Sequence, residues 1–284
     1  MRLKAIWELL RLEHGLMYAL AVLIGVIISA GLQFSFQDML MGALTALFLQ
    51  ASAFALNDYF DYEVDVANKR TDRPLVRGDL DKNTALIFFA VLGISGFIFA
   101  YSISIEAFAL AFIITVAGFF YDIKLKEFGF SGNIYIAFSM AAPFIFGSVV
   151  ATNTIVPSAG LLALLAFLSG MGREIMKGIE DVEGDALRDV KTIARLKGEN
   201  RAAQLASVLF VSSIILSIFP PLFVDKYFLD LKYVIPVAGT DALLILTSKE
   251  LLAGKWEKQL IKKYRKRTLF AMALGLAGFF AGIF

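Results

Sequence analysis

The stretch MLMGALTALFLQASAFALNDYFDYEVD, residues 39–65, runs from Met39 to Asn57 without a charge and then places Asp58, Asp61, Glu63 and Asp65 in quick succession. An uncharged run of that length matches the roughly 20 apolar residues a helix needs to cross the hydrocarbon core of a bilayer. The composition agrees with this reading: 58% of residues are hydrophobic, 18% are charged and the mean hydropathy is +0.73, far from the balance of a water-soluble domain. The sequence therefore predicts an all-α integral membrane protein whose acids begin where a membrane helix ends.

Working outward, residues 15–37, 83–105 and 202–224 are equally free of charge. Residues 128–172 are also charge-free but too long for one crossing, and Asn153, Thr154 and Pro157 near the middle predict two helices joined by a turn. A span after Ser104 ending near Tyr121, one over 227–248 and one over 268–284 bring the expected count to nine, with a tight hairpin at 102–106. The first apolar run has no small-residue cleavage pattern, so it is expected to remain as helix 1.

Lys and Arg mark the cytoplasmic side of a membrane protein. All but Lys226 and Lys232 fall in the N-terminal segment or in the loops after helices 2, 4, 6 and 8. That pattern puts the N-terminus in the cytoplasm and the C-terminus outside. The chain has no cysteine and a single histidine, His14, which excludes disulfides, thiolate metal sites and bis-His haem; a bound metal would need oxygen ligands.

Two long loops, at about 58–82 and 176–201, are acidic and basic together and both fall on the cytoplasmic side. Asn57, Asp61 and Asp65 are spaced by four, as are Asp181 and Asp185, so each set shares one helical face. Like charges stacked this way repel unless a cation neutralises them. Mg2+ characteristically takes one or two carboxylates together with substrate phosphates. Arg73, Arg77, Lys177 and either Lys124 or Lys126 are the candidate partners for phosphate oxygens. Acids for a metal and bases for phosphate, repeated at two helix ends, describe a magnesium diphosphate site. The ordinary alternative for one such loop is a solvated, internally paired surface, but matching spacing in two loops on one side weighs against it.

NDYFDYEVD with NKRTDRP, together with DVEGD, resembles the paired aspartate-rich signatures of the UbiA superfamily of intramembrane prenyltransferases. The resemblance covers nearly the whole chain. It implies nine helices around a central cavity capped by the two loops, a single domain over residues 1–284, and Mg2+ bridging the aspartates to a prenyl diphosphate. The family pattern falls on Asn57, Asp58, Asp61 and Asp65, then on Asp181 and Asp185, with Asn57, Asp61, Asp65, Asp181 and Asp185 holding metal and Asp58 in support. A family tyrosine before a basic residue falls on Tyr121 in YDIKLK, with Leu125 at the expected basic position and Lys124 and Lys126 beside it. The forms YDIKLK and REIMKGIEDVEGD are most similar to the members that build archaeal ether lipids, which implies geranylgeranyl transfer from its diphosphate to geranylgeranylglyceryl phosphate. An aromatic acceptor such as 4-hydroxybenzoate is the alternative within the family, and a secondary transporter the alternative outside it. Transport sites are expected near the midplane at broken helices, whereas these acids lie at helix ends.

The expected partners are thus a prenyl diphosphate, a lipid-like acceptor and membrane lipids, with no nucleic acid. The expected location is the cell membrane, with the active site facing the cytoplasm. Arg11 and His14, where helix 1 meets the cytoplasm, are candidates for the acceptor head group. Asp241, inside a span, is expected to accept a buried hydrogen bond. The basic stretch over 254–267 reads as an anionic-lipid contact, and most of the 27 phenylalanines read as packing and lipid contact.

Overall fold

The computed structural model describes residues 2–31, 33–180, 182–187 and 190–284, apart from the side chains of Arg2, Lys126, Glu183 and Leu187. Among the described residues the regular elements are all helical. Contacts divide them into two units, Met1–Ile123 with Pro143–Ile155, and Lys124–Ala142 with Val156–Phe284.

The first unit holds α1 (Arg2–Leu10), α2 (Leu12–Ala30), α3 (Phe36–Ala67), α4 (Pro74–Arg77), α5 (Lys82–Ile103) and α6 (Ile105–Ile123). Helix α3 has 32 residues, about 48 Å at 1.5 Å per residue, against a hydrocarbon core of about 30 Å. Its apolar part can cross while its last turns, carrying Asn57 to Asp65, project beyond the core. Ser35 starts this helix by accepting a hydrogen bond from Asp38 N at 3.2 Å. The residues 58–67 expected at the start of a loop are therefore helical. A single residue, Ser104, separates α5 from α6, and its hydroxyl accepts from Ala107 N at 3.1 Å.

Helix α7 (Phe130–Thr152) contains Pro143, and the division between the units falls at that proline. The part from Pro143 onward packs on α2 through Val22, Val26, Phe146, Val149 and Val150. The approach depends on glycine. A Cβ on Gly147 would strike the Val22 carbonyl oxygen, and one on Gly25 would strike the Phe144 carbonyl oxygen. Backbone cannot give way as a side-chain tip can, so this is a small-residue contact of the kind that joins membrane helices. Gly147→Ala is expected to lower stability by about 2 kcal/mol through overpacking. Gly160→Ala, whose new methyl meets nothing within 4 Å, should be neutral or slightly stabilising because alanine favours the helix. Thermal unfolding of both variants in detergent checks the contrast.

The second unit continues with α8 (Pro157–Glu180), α9 (Val182–Leu187), α10 (Ile193–Lys197), α11 (Glu199–Leu216), α12 (Pro220–Phe223), α13 (Leu231–Leu252) and α14 (Lys258–Ala281). Its core is built from Ile175, Met176, Ile179, Phe210, Leu244 and Tyr264 among others. Arg265 of α14 reaches Glu180 at the end of α8 at 2.7 Å, and Arg267 pairs with Glu250. These two arginines of the basic stretch thus turn inward, while Lys255, Lys258, Lys262, Lys263 and Lys266 remain exposed. Asp241 accepts a hydrogen bond from Ser217 Oγ at 2.7 Å, as expected for an acid inside a span.

Eight helices among the described residues are long and apolar enough to cross a membrane. The expected ninth span is the C-terminal part of α14, whose first half carries the basic stretch. The charge-free run there is 268–284, of which 268–281 lies in α14, about 14 helical residues or roughly 21 Å against a core of roughly 30 Å.

Candidate active site

In the first unit the acids of α3 meet three arginines from two segments, the break between α1 and α2 and the loop between α3 and α4. Asp58 is buried, 2% exposed, and its Oδ1 accepts from Arg11 Nη2 at 2.7 Å and lies 3.3 Å from Arg73 Nη1. Arg73 Nε is 3.5 Å from Asp65 Oδ2, and Arg70 Nη1 is 3.8 Å from Asp65 Oδ1. One guanidinium, that of Arg73, therefore bridges two carboxylates of the first acidic set. Arg70 also forms a two-pronged bond to Asp72 at 2.8 and 2.7 Å, which holds the Asp72 carboxyl below its ordinary range.

Arg11 reaches Asp58 because the chain breaks between α1 and α2. Arg11 sits in the left-handed region, φ 45° and ψ 54°, a conformation costly for a non-glycine residue. Its guanidinium also lies over the Phe54 ring, 4.1 Å from the centroid. The residue expected at an acceptor head group thus meets the buried acid of the first motif. His14 stacks edge-on against the same Phe54, with ring centroids 5.6 Å apart, and its Nδ1 is 3.5 Å from Glu13.

Arg77 is engaged elsewhere. It pairs with Glu8 of α1 and with Asp79 at 2.8 Å, and it donates to the carbonyl oxygens of Thr71 and Asp72 at 3.1 Å each. It fastens the loop after α3 to the N-terminal helix. Asn57 donates through Nδ2 to Asp122 Oδ1 at 2.9 Å, linking α3 to the last turn of α6 beside Tyr121. Sequence reading missed Asp122, although it stands inside the YDIKLK motif.

The second unit carries the second acidic segment. Asp185, in α9, is buried; Asp181 lies outside the described residues, as does the side chain of Lys126. Lys177 Nζ donates to Glu174 Oε2 at 3.3 Å, and Arg173 Nη1 donates to Glu174 Oε1 at 2.9 Å. Glu174 is itself buried, a further acid the spacing argument passed over because it precedes the Asp pair. Lys124 pairs with Glu127 at 3.3 Å. The turn that follows, Leu125–Phe128, is joined to the second acidic segment where Lys191 N donates to Glu127 O at 3.2 Å. Gly129, at φ 53°, makes this docking possible, since any Cβ there would collide with Lys191 backbone. The loop bearing Lys124 and the loop following Asp185 are thus held together by backbone contacts.

The donors gathered at these helix ends are carboxylate and amide oxygens, a hard set suited to Mg2+. Asp58 Oδ2 is buried with no hydrogen-bond partner among the described residues. No group of three or more acidic, histidine or cysteine side chains converges as a cage among the described residues.

The model of the UbiA prenyltransferase family matches residues 18–277. This chain belongs to the UbiA prenyltransferase family. It is 56% identical over 282 residues to digeranylgeranylglyceryl phosphate synthase of Archaeoglobus fulgidus, covering 99% of this chain and 96% of that one. A solved structure of a digeranylgeranylglyceryl phosphate synthase superposes with a TM-score of 0.78 at 30% identity, covering 99% of this chain and 98% of that one. A UbiA homologue from Archaeoglobus fulgidus bound to GPP and Mg2+ superposes with a TM-score of 0.67 at 19% identity, covering 97% of this chain and 99% of that one, and shares the UbiA fold. The chain is therefore a multi-pass membrane enzyme of the prenyltransferase class.

Proposed function

We infer that this enzyme transfers a geranylgeranyl group from geranylgeranyl diphosphate to the free hydroxyl of geranylgeranylglyceryl phosphate, forming the second ether bond of an archaeal lipid. The observation that carries the reading is the 56% identity, from end to end, to a protein named for that product. The paired acidic helix ends with adjacent cations supply a chemistry that fits it.

Asn57, Asp61 and Asp65, with Asp181 and Asp185 of the second motif, would hold the metal. Bound Mg2+ supplies positive charge that stabilises the departing diphosphate. Arg73, Lys177 and a lysine following Tyr121 bind the phosphate oxygens the metal leaves over. Asp58, fixed by Arg11, keeps Arg73 in place, and Arg77 braces the loop that carries it. With the diphosphate so held, the allylic C–O bond breaks and its electron pair leaves on the phosphate oxygen. The acceptor hydroxyl then bonds to the allylic carbon and gives up its proton to the released diphosphate. Apolar spans around the reacting carbon keep water from capturing the cation. The concentration of Lys and Arg in alternate connections of the sequence supports a cytoplasmic location for this chemistry at the cell membrane.

The test is product identification by mass spectrometry. Purified protein in detergent receives Mg2+ and geranylgeranyl diphosphate with either geranylgeranylglyceryl phosphate or 4-hydroxybenzoate. The expected result is a doubly alkylated glycerol phosphate in the first reaction only. A prenylated benzoate alone would overturn the acceptor assignment.

A further inference from the structure

We propose that Asp122 is a positioning residue that presents the side-chain oxygen of Asn57 to the divalent cation. The inference rests on the metal site proposed above and assigns a role to an acid outside both aspartate motifs.

The reasoning begins with the two ends of an amide. Asn57 can turn either its oxygen or its NH2 toward a neighbour, and only the oxygen can bind a cation. An asparagine without a fixed partner would offer each end in turn. The 2.9 Å contact between Asn57 Nδ2 and Asp122 Oδ1 removes that freedom. The carboxylate oxygen is the acceptor in that contact, so the NH2 group is the end that faces it. The oxygen of Asn57 is then turned to the opposite edge of the amide.

Two further features make the contact suited to this work. Asp122 is buried, 7% exposed, so the bond acts in a low-dielectric setting where it is stronger than in water. It also joins two rigid helices, α3 and α6, with partners 65 residues apart in sequence, so the ligand is aimed by packed secondary structure instead of a loop. Electron density drawn toward the amide oxygen by the carboxylate raises its strength as a ligand, as outer-shell carboxylates do for histidine ligands. The same geometry accounts for asparagine instead of aspartate at position 57. Two carboxylates 2.9 Å apart would repel or share a proton.

The experiment reads metal binding without turnover. Mn2+ binding to the purified protein in detergent is followed by electron paramagnetic resonance in the presence of inorganic diphosphate. Asp122→Ala is expected to weaken Mn2+ binding about 10–100-fold, the usual cost of losing an outer-shell partner. The exchanged pair Asn57→Asp with Asp122→Asn restores the bond with donor and acceptor reversed. It should bind Mn2+ within about threefold of the wild type, leaving one oxygen of the new carboxylate for the cation. Thermal unfolding reports whether each variant folds, and the exchanged pair carries the test if Asp122→Ala does not. Unchanged affinity in Asp122→Ala overturns the proposal, as does an exchanged pair that folds yet binds Mn2+ about 10-fold or more weakly than the wild type. A wild-type protein that binds no Mn2+ overturns the metal reading and this proposal together. Wild-type binding without the expected lipid product leaves this proposal standing and removes only the acceptor assignment.

Discussion

Asp61→Ala and Asp185→Ala are each expected to lower turnover by at least 10²–10³-fold while leaving a folded protein in the membrane, the scale of losing a group that stabilises transition-state charge. Asp61 lies in the last turns of α3 and Asp185 in α9. If each helix end contributes oxygen ligands to the metal diphosphate, neither can replace the other. A double variant should then be little worse than either single one, because groups that act as one unit are strongly non-additive. Rates from single-turnover assays, with thermal unfolding as the folding control, decide the matter. Full activity in both single variants would remove these acids from the metal site.

The second large effect is expected at Arg73. Its guanidinium lies 3.3 Å from Asp58 and 3.5 Å from Asp65, so its removal leaves two stacked carboxylates facing each other with less positive charge between them. Arg73→Ala should reduce kcat/KM for the prenyl diphosphate roughly 100-fold, about 2.7 kcal/mol of transition-state stabilisation. Stability should also fall, because Asp58 stays buried while it loses a cation 3.3 Å away. Arg73→Lys keeps the charge but loses the planar fork, and is expected to recover stability better than kcat/KM. Steady-state kinetics separate the two roles. A variant that loses stability alone would make Arg73 a purely structural bridge between the acids.

Much of this was legible in the sequence because bilayer helices obey a simple length rule. The charge-free windows correspond to helices, including the break near Asn153 and the one-residue hinge at Ser104. The last helix was harder to read, since hydropathy over 268–284 ignores that the same helix begins ten residues earlier in a basic segment. The acidic spacing singled out the end of α3 and the segment after α8, where Asp58, Asp65 and Asp185 are buried. What spacing cannot reveal is a partner distant along the chain. Arg11 meets Asp58 only through a left-handed backbone turn, and Asn57 meets Asp122 only because α6 packs beside α3. Arg77 carried the same sequence signal as Arg73, but its geometry ties it to Glu8 and Asp79. Glu174 was passed over because a lone glutamate between Arg173 and Lys177 reads as an ordinary charged turn; its burial is a property of the packed helix alone.

The central claim is that the acceptor hydroxyl attacks the allylic carbon of a metal-bound prenyl diphosphate. It is tested most directly by giving the purified enzyme Mg2+, geranylgeranyl diphosphate and geranylgeranylglyceryl phosphate carrying heavy oxygen in its free hydroxyl. Mass spectrometry of the lipid and assay of released diphosphate then report which bond broke. The expected result is an ether product that keeps the label, diphosphate released in equal amount, and neither product when Mg2+ is chelated. An unlabelled ether, or the same yield without a divalent metal, would contradict the mechanism.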